Sequence, residues 1–181
     1  LGFSVDVYTK EPLTKELLQN YDVVVMGIRA YNTNQRLATD QKNILSYVEN
    51  GGTVIVQYNT LGDLVSDPSP YLLSISRDRV TEENSPVIIL DNTQKVMNYP
   101  YKITLKDFDG WVQERGLYFP NEWDDKFVPL LEMNDTDETP KDGSLLIAKY
   151  GKGIFIYTGL SFFRQLPAGV EGSYRLFINY E

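Results

Sequence analysis

The sequence predicts a single α/β domain whose central sheet is mostly parallel, with one antiparallel hairpin late in the chain. Three observations carry this prediction. Residues 22–58 have the pattern of a strand, a helix and a second strand. Residues 144–158 contain two apolar runs joined by a glycine-containing turn, and residues 172–180 have a helical pattern. A chain of 181 residues with 42% hydrophobic residues is large enough to bury one core.

The first elements are predicted from local patterning. Apolar and polar residues alternate from Phe3 to Tyr8, which predicts a strand. Apolar residues then recur on one helical face between positions 13 and 21. Thr14 is placed to cap that helix, with Leu13 and Leu18 spaced as a hydrophobic staple.

The β-α-β unit is the strongest structural signal. The apolar run Val23–Met26 is typical of a parallel strand covered on both faces. Thr39 or Asp40 is expected to cap the following helix, and the glycines at 51 and 52 are expected to end it. Residues 53–56 then form the second buried strand.

The rest of the chain divides into an irregular middle and an ordered end. Residues 60–143 hold most of the prolines, so short strands, turns and an inserted loop region are expected there. Two strands, Ser144–Lys149 and Ile154–Thr158, are predicted to form a hairpin through Tyr150–Gly153. A helix is expected from Gly172 onwards.

Composition excludes several classes of function. The chain contains no cysteine and no histidine, so it lacks a thiolate nucleophile, the usual general base near neutral pH and the commonest metal ligand. The net charge of −8 disfavours binding to nucleic acid or to an anionic membrane surface. No apolar run approaches the roughly 20 residues that span a bilayer. We predict no catalytic residue, no metal site and no cofactor.

The ends suggest that residues 1–181 are one domain of a longer chain. Leu1 falls within a predicted strand, and Glu181 falls within a predicted helix. We therefore expect the domain to be cut from a longer polypeptide at both ends. The absence of cysteine does not fix the compartment, and a periplasmic or secreted location is favoured over a cytoplasmic one.

The carboxyl ends of the predicted parallel strands are the first place to look for a site. In open parallel sheets, ligands bind beyond these ends. The loops there offer hydrogen-bonding groups, guanidinium groups and aromatic rings suited to a sugar or an anion. An alternative is that the same residues cap strand ends and brace loops. The candidates are Arg29, Tyr31, Asn32, Tyr58, Asn59, Ser161 and Arg164.

A second candidate segment, Gly110 to Trp123, contains both tryptophans and alternates aromatic with charged residues. The two rings are suited to stacking on carbohydrate or on a partner surface, with nearby polar groups contacting hydroxyls. The alternative is an edge strand whose rings complete the core. The candidates are Trp111, Glu114, Arg115, Glu122 and Trp123.

Two groups of acidic residues are further candidates for a site. A glycosidase-like carboxylate pair among Glu114, Glu122, Asp124 and Asp125 depends on their separation in space, which the sequence does not give. Residues 135–142 are acidic but lack the glycine and terminal glutamate of an EF-hand loop, so we expect a solvated loop.

Several segments resemble a known family over almost the whole chain. They are YDVVVMGIRAYNTN, VENGGTVIVQYNT, SRDRVTEENSPV, GWVQERGLYFPNEWDDKFVPLLEMND and GSLLIAKYGKGIFIYTGLSFFRQLPAG. They resemble the C-terminal region of PIG-L/LmbE-like deacetylases from Bacteroidetes-type bacteria, a class I glutamine amidotransferase-like domain similar to the ThuA-like group. The resemblance implies a flavodoxin-like three-layer α/β/α sandwich. It also implies an N-terminal zinc-dependent deacetylase domain in the same polypeptide, acting on N-acetylglucosaminyl-type substrates.

The chain departs from that family at the catalytic positions. Active amidotransferases carry their cysteine on the sharp turn after a central strand, and the matching turn here is Tyr58–Thr60. The family's histidine and glutamate follow a late strand, where this chain has Gly159–Phe163. The resemblance therefore implies the fold without the reaction.

These inferences favour a non-catalytic accessory domain that binds carbohydrate or packs on the N-terminal deacetylase domain. Two alternatives stay open. One is an independent hydrolase that uses carboxylates, and the other is a dimerisation module that forms a homodimer.

Overall fold

This computed structural model describes residues 2–180, which contain five α-helices and nine β-strands. The helices are α1 (Lys15–Leu18), α2 (Ala30–Thr33), α3 (Leu37–Glu49), α4 (Phe162–Gln165) and α5 (Glu171–Asn179). The strands are β1 (Val23–Met26), β2 (Thr53–Gln57), β3 (Leu73–Val80), β4 (Val87–Ile89), β5 (Gly116–Trp123), β6 (Val128–Pro129), β7 (Leu131–Met133), β8 (Leu145–Tyr150) and β9 (Gly153–Thr158). Two 3₁₀ turns span Lys95–Met97 and Leu105–Phe108.

The central sheet has five strands in the order β1-β2-β9-β8-β6. β1 and β9 both pair in parallel with β2, and Thr53 lies opposite both Val23 and Ile154. β8 pairs antiparallel with β9 and with β6, so β8 alone runs against the other four strands. Gly151, at φ 58°, forms the tight β8–β9 turn. The predicted mostly parallel sheet with a late hairpin is therefore confirmed.

Helices cover both faces of this sheet. Along β2, Val54 and Val56 pack with α1 and α3, while Ile55 between them packs with α4 and α5. This alternation follows from the two-residue repeat of a strand. All three side chains are 0% exposed. The apolar residues of β2 thus contribute to a hydrophobic core on each face of the sheet. The loop that follows β2 therefore begins between these two cores.

The crossover helix α3 begins earlier than predicted. It starts at Leu37, which is fully buried, rather than after a cap at Thr39 or Asp40. The Asp40 carboxylate instead accepts a hydrogen bond from the backbone of Leu13 over 3.1 Å. Asp40 therefore ties α3 to the segment before α1. At the other end Gly51, at φ 120°, stops the helix as predicted.

The predicted strand from Phe3 to Tyr8 is not found. These residues form no strand, and Val5 and Val7 are 74% and 79% exposed. Alternation alone does not make a strand, because its backbone needs a hydrogen-bonded neighbour. The prediction for α1 is confirmed, since the Thr14 side chain accepts a hydrogen bond from the Leu17 backbone over 3.2 Å.

The middle region contains an antiparallel ribbon, formed by β3 and β5 with several register shifts, and a smaller pair of β4 with β7. A bridge between Gly116 and Leu160 holds the start of β5 against the end of β9. The ribbon thereby brings residues 113–118 to the carboxyl end of the central sheet. No helix within residues 2–180 has the length and apolarity needed to cross a membrane.

Candidate functional site

Six side chains form a cluster at the carboxyl ends of β1, β2 and β9, which we call the strand-end surface. The loops after β1 and β2, helix α4 and the β5 ribbon each contribute. The members are Arg29, Tyr58, Glu114, Tyr118, Phe163 and Arg164. Four of the six were predicted from the sequence as ligand contacts, whereas Tyr118 and Phe163 were not.

The backbone at this surface adopts unusual conformations. Arg29, Gln113 and Tyr118 have φ values of 57°, 67° and 53°, three of the four non-glycine residues at positive φ within residues 2–180. Such left-handed residues concentrate where surrounding structure fixes a functional geometry. The Arg29 backbone N–H donates to the Tyr58 carbonyl over 2.8 Å, which joins the first two loops.

An aromatic stack forms the centre of the surface. The Tyr58 ring stacks on Tyr118, with centroids 6.0 Å apart and planes at 12°, and contacts Phe163 at 5.4 Å. The Arg164 guanidinium lies over Phe163 at 4.9 Å from the ring centroid. Together these contacts give a rigid apolar platform with a cationic edge.

Charges around Tyr58 act in both directions on its hydroxyl. Burial raises the pKa of Tyr58; the Glu114 and Tyr118 groups also raise it, while Arg29 and Arg164 oppose the change. The net effect is a raised pKa, so the hydroxyl is neutral at physiological pH. It is therefore available as a hydrogen-bond donor to a ligand oxygen.

An ion pair fixes the edge of the platform. Arg164 Nε donates to Glu114 Oε1 over 2.6 Å, and its Nη1 contacts the Gln113 side-chain oxygen. The Glu114 side chain is 11% exposed and that of Arg164 is 34% exposed. The guanidinium therefore keeps a solvent-facing part while its position is set from beneath.

The polar groups behind this surface are used internally. Asn59, which is fully buried, accepts from the Tyr31 backbone over 2.9 Å and donates to Gln57 over 3.1 Å. The Tyr31 hydroxyl donates to Gln41, and the Ser161 hydroxyl donates to the Glu114 carbonyl over 2.6 Å. Tyr31, Asn59 and Ser161 therefore brace the loops, which corrects their assignment as ligand contacts.

Asn32 has a similar bracing role nearer the surface. Its side chain donates to the Thr60 carbonyl over 3.2 Å and accepts from the Thr60 backbone over 2.9 Å. Asn32 is half-buried, and both hydrogen bonds of its side-chain amide are made with the backbone of Thr60. The loops after β1 and β2 are thus joined by two asparagines.

The tryptophan segment does not form one site. Trp111 is 2% exposed, donates to the Asp107 carbonyl over 2.9 Å and packs between Phe108 and Phe162. It is a core residue rather than an exposed stacking platform, because Phe162 of α4 and the 3₁₀ turn at Leu105–Phe108 pack against it. The alternative of rings that complete the core therefore holds for Trp111.

The other members of that segment lie in three different places. Arg115 is buried and donates to the carbonyls of Ser85 and Phe108. Trp123 is half-buried at the far end of β5, and Glu122 beside it is exposed. The length of β5 separates Glu122 and Trp123 from Glu114, since eight strand residues cover up to about 27 Å.

The four carboxylates considered as a glycosidase-like pair have separate partners or face solvent. They are Glu114, Glu122, Asp124 and Asp125. Glu114 pairs with Arg164, and Asp124 pairs with Lys126 over 3.1 Å. Hydrogen bonds from the backbone and side chain of Lys126 lower the pKa of Asp124, whereas a catalytic acid needs a raised pKa. Within residues 2–180 no group of three acidic residues is arranged to hold a metal ion.

The residue that sequence reasoning missed most clearly is Gln165. It is fully buried, and its amide bonds both backbone groups of Val112 and the Ser161 hydroxyl over 2.8–2.9 Å. This amide holds α4 against the segment that leads into β5. A polar residue in a short helix gives no sequence signal for such a role, because Val112 is 53 residues away.

No protein-family model matches this sequence, and no curated protein matches it significantly. Solved structures do match. A cytoplasmic protein from Salmonella typhimurium LT2, STM1381, superposes with a TM-score of 0.59 at 18% identity, over 94% of this chain and 74% of that one. A β-galactosidase from Bacillus circulans sp. alkalophilus gives 0.51 at 15% identity, over 90% of this chain and 22% of that one.

A third structure bears on the resemblance found in the sequence. A ThuA-like protein from Bacteroides uniformis matches with a TM-score of 0.50 at 14% identity, over 93% of this chain and 71% of that one. Identities this low carry information about fold alone. The mixed sheet described above, with four strands in one direction and one reversed, fits a flavodoxin-like, ThuA-like fold.

Proposed function

We propose that this chain is a non-catalytic accessory domain of a larger PIG-L/LmbE-like N-acetylglucosaminyl deacetylase, and that the strand-end surface binds carbohydrate. One observation carries the proposal. At the two turns where the resembled family keeps its catalytic residues, Asn59 and Ser161 are fully buried and hydrogen-bonded internally. What reaches the surface beside them is an aromatic stack with two guanidinium groups.

The groups at this surface suit a sugar, although Tyr58 is only 7% exposed. An aromatic ring packs against the C–H face of a pyranose, and planar polar side chains contact its hydroxyls. Tyr118 supplies a half-buried ring, Arg29 an exposed guanidinium, and Tyr58 a neutral hydroxyl. Because Tyr118 stacks on Tyr58, which in turn contacts Phe163, the ring is held in place before any ligand arrives.

The comparison with a glycosidase supports an accessory role. The similar region covers 22% of the β-galactosidase from Bacillus circulans, so a domain of this fold occurs within a larger protein named for action on a carbohydrate. The parent deacetylase and its substrate rest on the sequence resemblance. A periplasmic or secreted location also stays a prediction.

Isothermal titration with short β-linked N-acetylglucosamine oligomers tests whether the strand-end surface binds carbohydrate. Tyr118→Asn removes the ring while keeping a residue that tolerates positive φ, and we expect about three- to tenfold weaker binding. Arg29→Asn removes the guanidinium and likewise keeps a residue that tolerates positive φ, so it should also weaken binding. Tyr101→Asn and Arg77→Asn, at exposed positions outside the surface, are the matched controls and should leave the affinity unchanged. Absence of binding heat for the unmodified domain would contradict the proposal that the strand-end surface binds carbohydrate.

Packing on the N-terminal deacetylase domain is the alternative use of the same surface. It predicts that deleting this domain from the full-length protein lowers the melting temperature of the catalytic half. Unchanged melting temperature and activity after deletion would reject it. A dimerisation module stays a separate prediction, which light scattering on the full-length protein distinguishes because a monomer excludes it.

A further inference from the structure

A concave site lies away from the strand-end surface, around the buried side chain of Arg115. A cavity of about 240 Å³ opens between the start of β4, the 3₁₀ turn at Leu105–Phe108 and the residues that lead into β5. Its walls include Val87, Phe108 and Leu105, and Arg115 lies among them. At roughly 30 Å³ per water molecule, this volume holds a small organic molecule.

Arg115 is unusual because it is a buried cation without an anionic partner. It is 6% exposed, and no carboxylate within residues 2–180 forms an ion pair with it. Buried charges are normally paired, since removing a lone charge from water is costly. The Trp111 ring, 6.0 Å from the guanidinium carbon, gives only partial compensation.

The guanidinium also keeps spare hydrogen-bonding capacity. Nε and Nη2 both donate to the Ser85 carbonyl, over 3.2 and 2.8 Å, and Nη1 donates to the Phe108 carbonyl. These bonds use three of the five N–H groups of an arginine. Two N–H donors are therefore left without an acceptor among the described residues, on a side chain that lines a cavity.

We propose that this cavity binds a small organic monocarboxylate, with its two oxygens on Arg115 and its apolar part against Val87, Phe108 and Leu105. Two donors on one planar cation match the two oxygens of a carboxylate. The apolar walls favour a carboxylate with a hydrocarbon part over a fully hydrated dianion such as phosphate. Asp109, exposed at the cavity, adds a negative charge that further disfavours a dianion.

Burial and the charge of Asp109 have opposite effects on the pKa of Arg115. Burial lowers the pKa of Arg115, and the charge of Asp109 acts to raise it. Arginine stays protonated at physiological pH even so. Because Asp109 repels an entering carboxylate, its removal should strengthen binding, which a purely structural role for Arg115 would not produce.

Titration with butyrate, followed by amide chemical shifts in the full chain, tests the proposal. Butyrate should give saturable shifts at Val87, Ser85 and Phe108, and neutral butyramide should give none. Asp109→Asn should tighten butyrate binding roughly two- to fivefold. Asp63→Asn, an exposed position outside the cavity with the same change in charge, is the control and should not alter the affinity.

A variant of Arg115 is a weaker test, because its loss frees the Ser85 and Phe108 carbonyls and threatens the fold. Leu105→Ala is the second variant, since Leu105 lines the cavity and is 57% exposed. It should weaken butyrate binding while leaving the melting temperature unchanged. Absence of saturable shifts with butyrate would overturn the proposal, as would equal effects of Asp109→Asn and Asp63→Asn.

Discussion

The Asn59 side-chain oxygen accepts a hydrogen bond from the Tyr31 backbone N–H over 2.9 Å, so the loop after β2 holds the loop after β1. The Asn59 backbone N–H in turn donates to the Tyr157 hydroxyl over 3.2 Å, which adds β9 to the same network. Three parallel strands are thus joined at their carboxyl ends through one asparagine.

Replacing Asn59 should therefore destabilise the whole strand-end region. Asn59→Ala leaves the buried Tyr31 N–H without its acceptor and removes a donor to the Gln57 carbonyl, so we expect the free energy of unfolding to fall by about 1–3 kcal/mol. Urea denaturation followed by circular dichroism measures it. Asn121→Ala, at an exposed position, is the control and should change stability by less than about 0.5 kcal/mol. Equal effects of the two variants would contradict the bracing role.

The Glu114–Arg164 pair should couple more strongly than an ordinary surface pair. A double-mutant cycle with Glu114→Gln and Arg164→Met should give an interaction energy of about 1–2 kcal/mol, because Glu114 is largely buried beneath the guanidinium. The same cycle on Asp124 and Lys126, whose side chains are more exposed, should give about 0–1 kcal/mol. A coupling for Glu114–Arg164 no larger than that of the control pair would show that the platform edge is not fixed.

Stability should depend on pH through Asp135. Burial acts to raise its pKa, but donors from Glu82, Thr81 and Ser85 more than offset that effect, so the pKa of Asp135 is lowered. A carboxyl with a lowered folded-state pKa stabilises the fold above its unfolded pKa of about 3.9 and loses that contribution as pH falls through the lower folded value.

Asp135→Asn should remove this acid-dependent part of the stability. At neutral pH we expect a loss of about 1–3 kcal/mol, since the amide replaces a carboxylate that accepts several hydrogen bonds. Denaturation curves between neutral pH and pH about 3 should show a shallower decline for the variant. Asp137→Asn, an exposed residue of the same loop, is the control. Parallel declines for wild type and Asp135→Asn would contradict the assignment.

Periodicity predicted the parts of the fold that are set locally. The apolar runs at β1 and β2 and the glycine turn between β8 and β9 each specify their own conformation, and the structure has all three. The strand predicted from Phe3 to Tyr8 failed because strand formation depends on a neighbour that the segment itself does not encode. The start of α3 shifted to Leu37 because a tertiary bond uses Asp40 elsewhere.

The candidate site was only partly predictable, for a related reason. The rule that ligands lie beyond strand ends located Arg29, Tyr58 and Arg164. Which polar residues face inward depends on partners distant in sequence, as with Ser161 and the Glu114 carbonyl 47 positions away. The sequence does not indicate Tyr118, because its place in the stack follows from the β3–β5 ribbon, which lies in the segment without clear periodicity.

Close packing at Gly172 predicts that an alanine there lowers stability, whereas helix propensity alone predicts that it raises stability. A Cβ added at Gly172 in α5 would lie 1.9 Å from the Asp107 carbonyl oxygen, which also accepts the bond from the Trp111 indole. Propensity alone would make Gly172→Ala stabilising by about 1 kcal/mol. We expect a loss of about 2–3 kcal/mol instead, because α5 must move away from the 3₁₀ turn.

Chemical denaturation of Gly172→Ala measures the loss, and Trp111 reports its origin. The variant should show a red-shifted tryptophan emission in a Trp123→Phe background, since separation of α5 from the turn lets water reach the buried indole. Gly62→Ala is the matched control, because Gly62 is exposed and has no atom within 4 Å of an added Cβ. A stabilised Gly172→Ala with unchanged emission would mean that α5 does not approach Asp107 as closely as described.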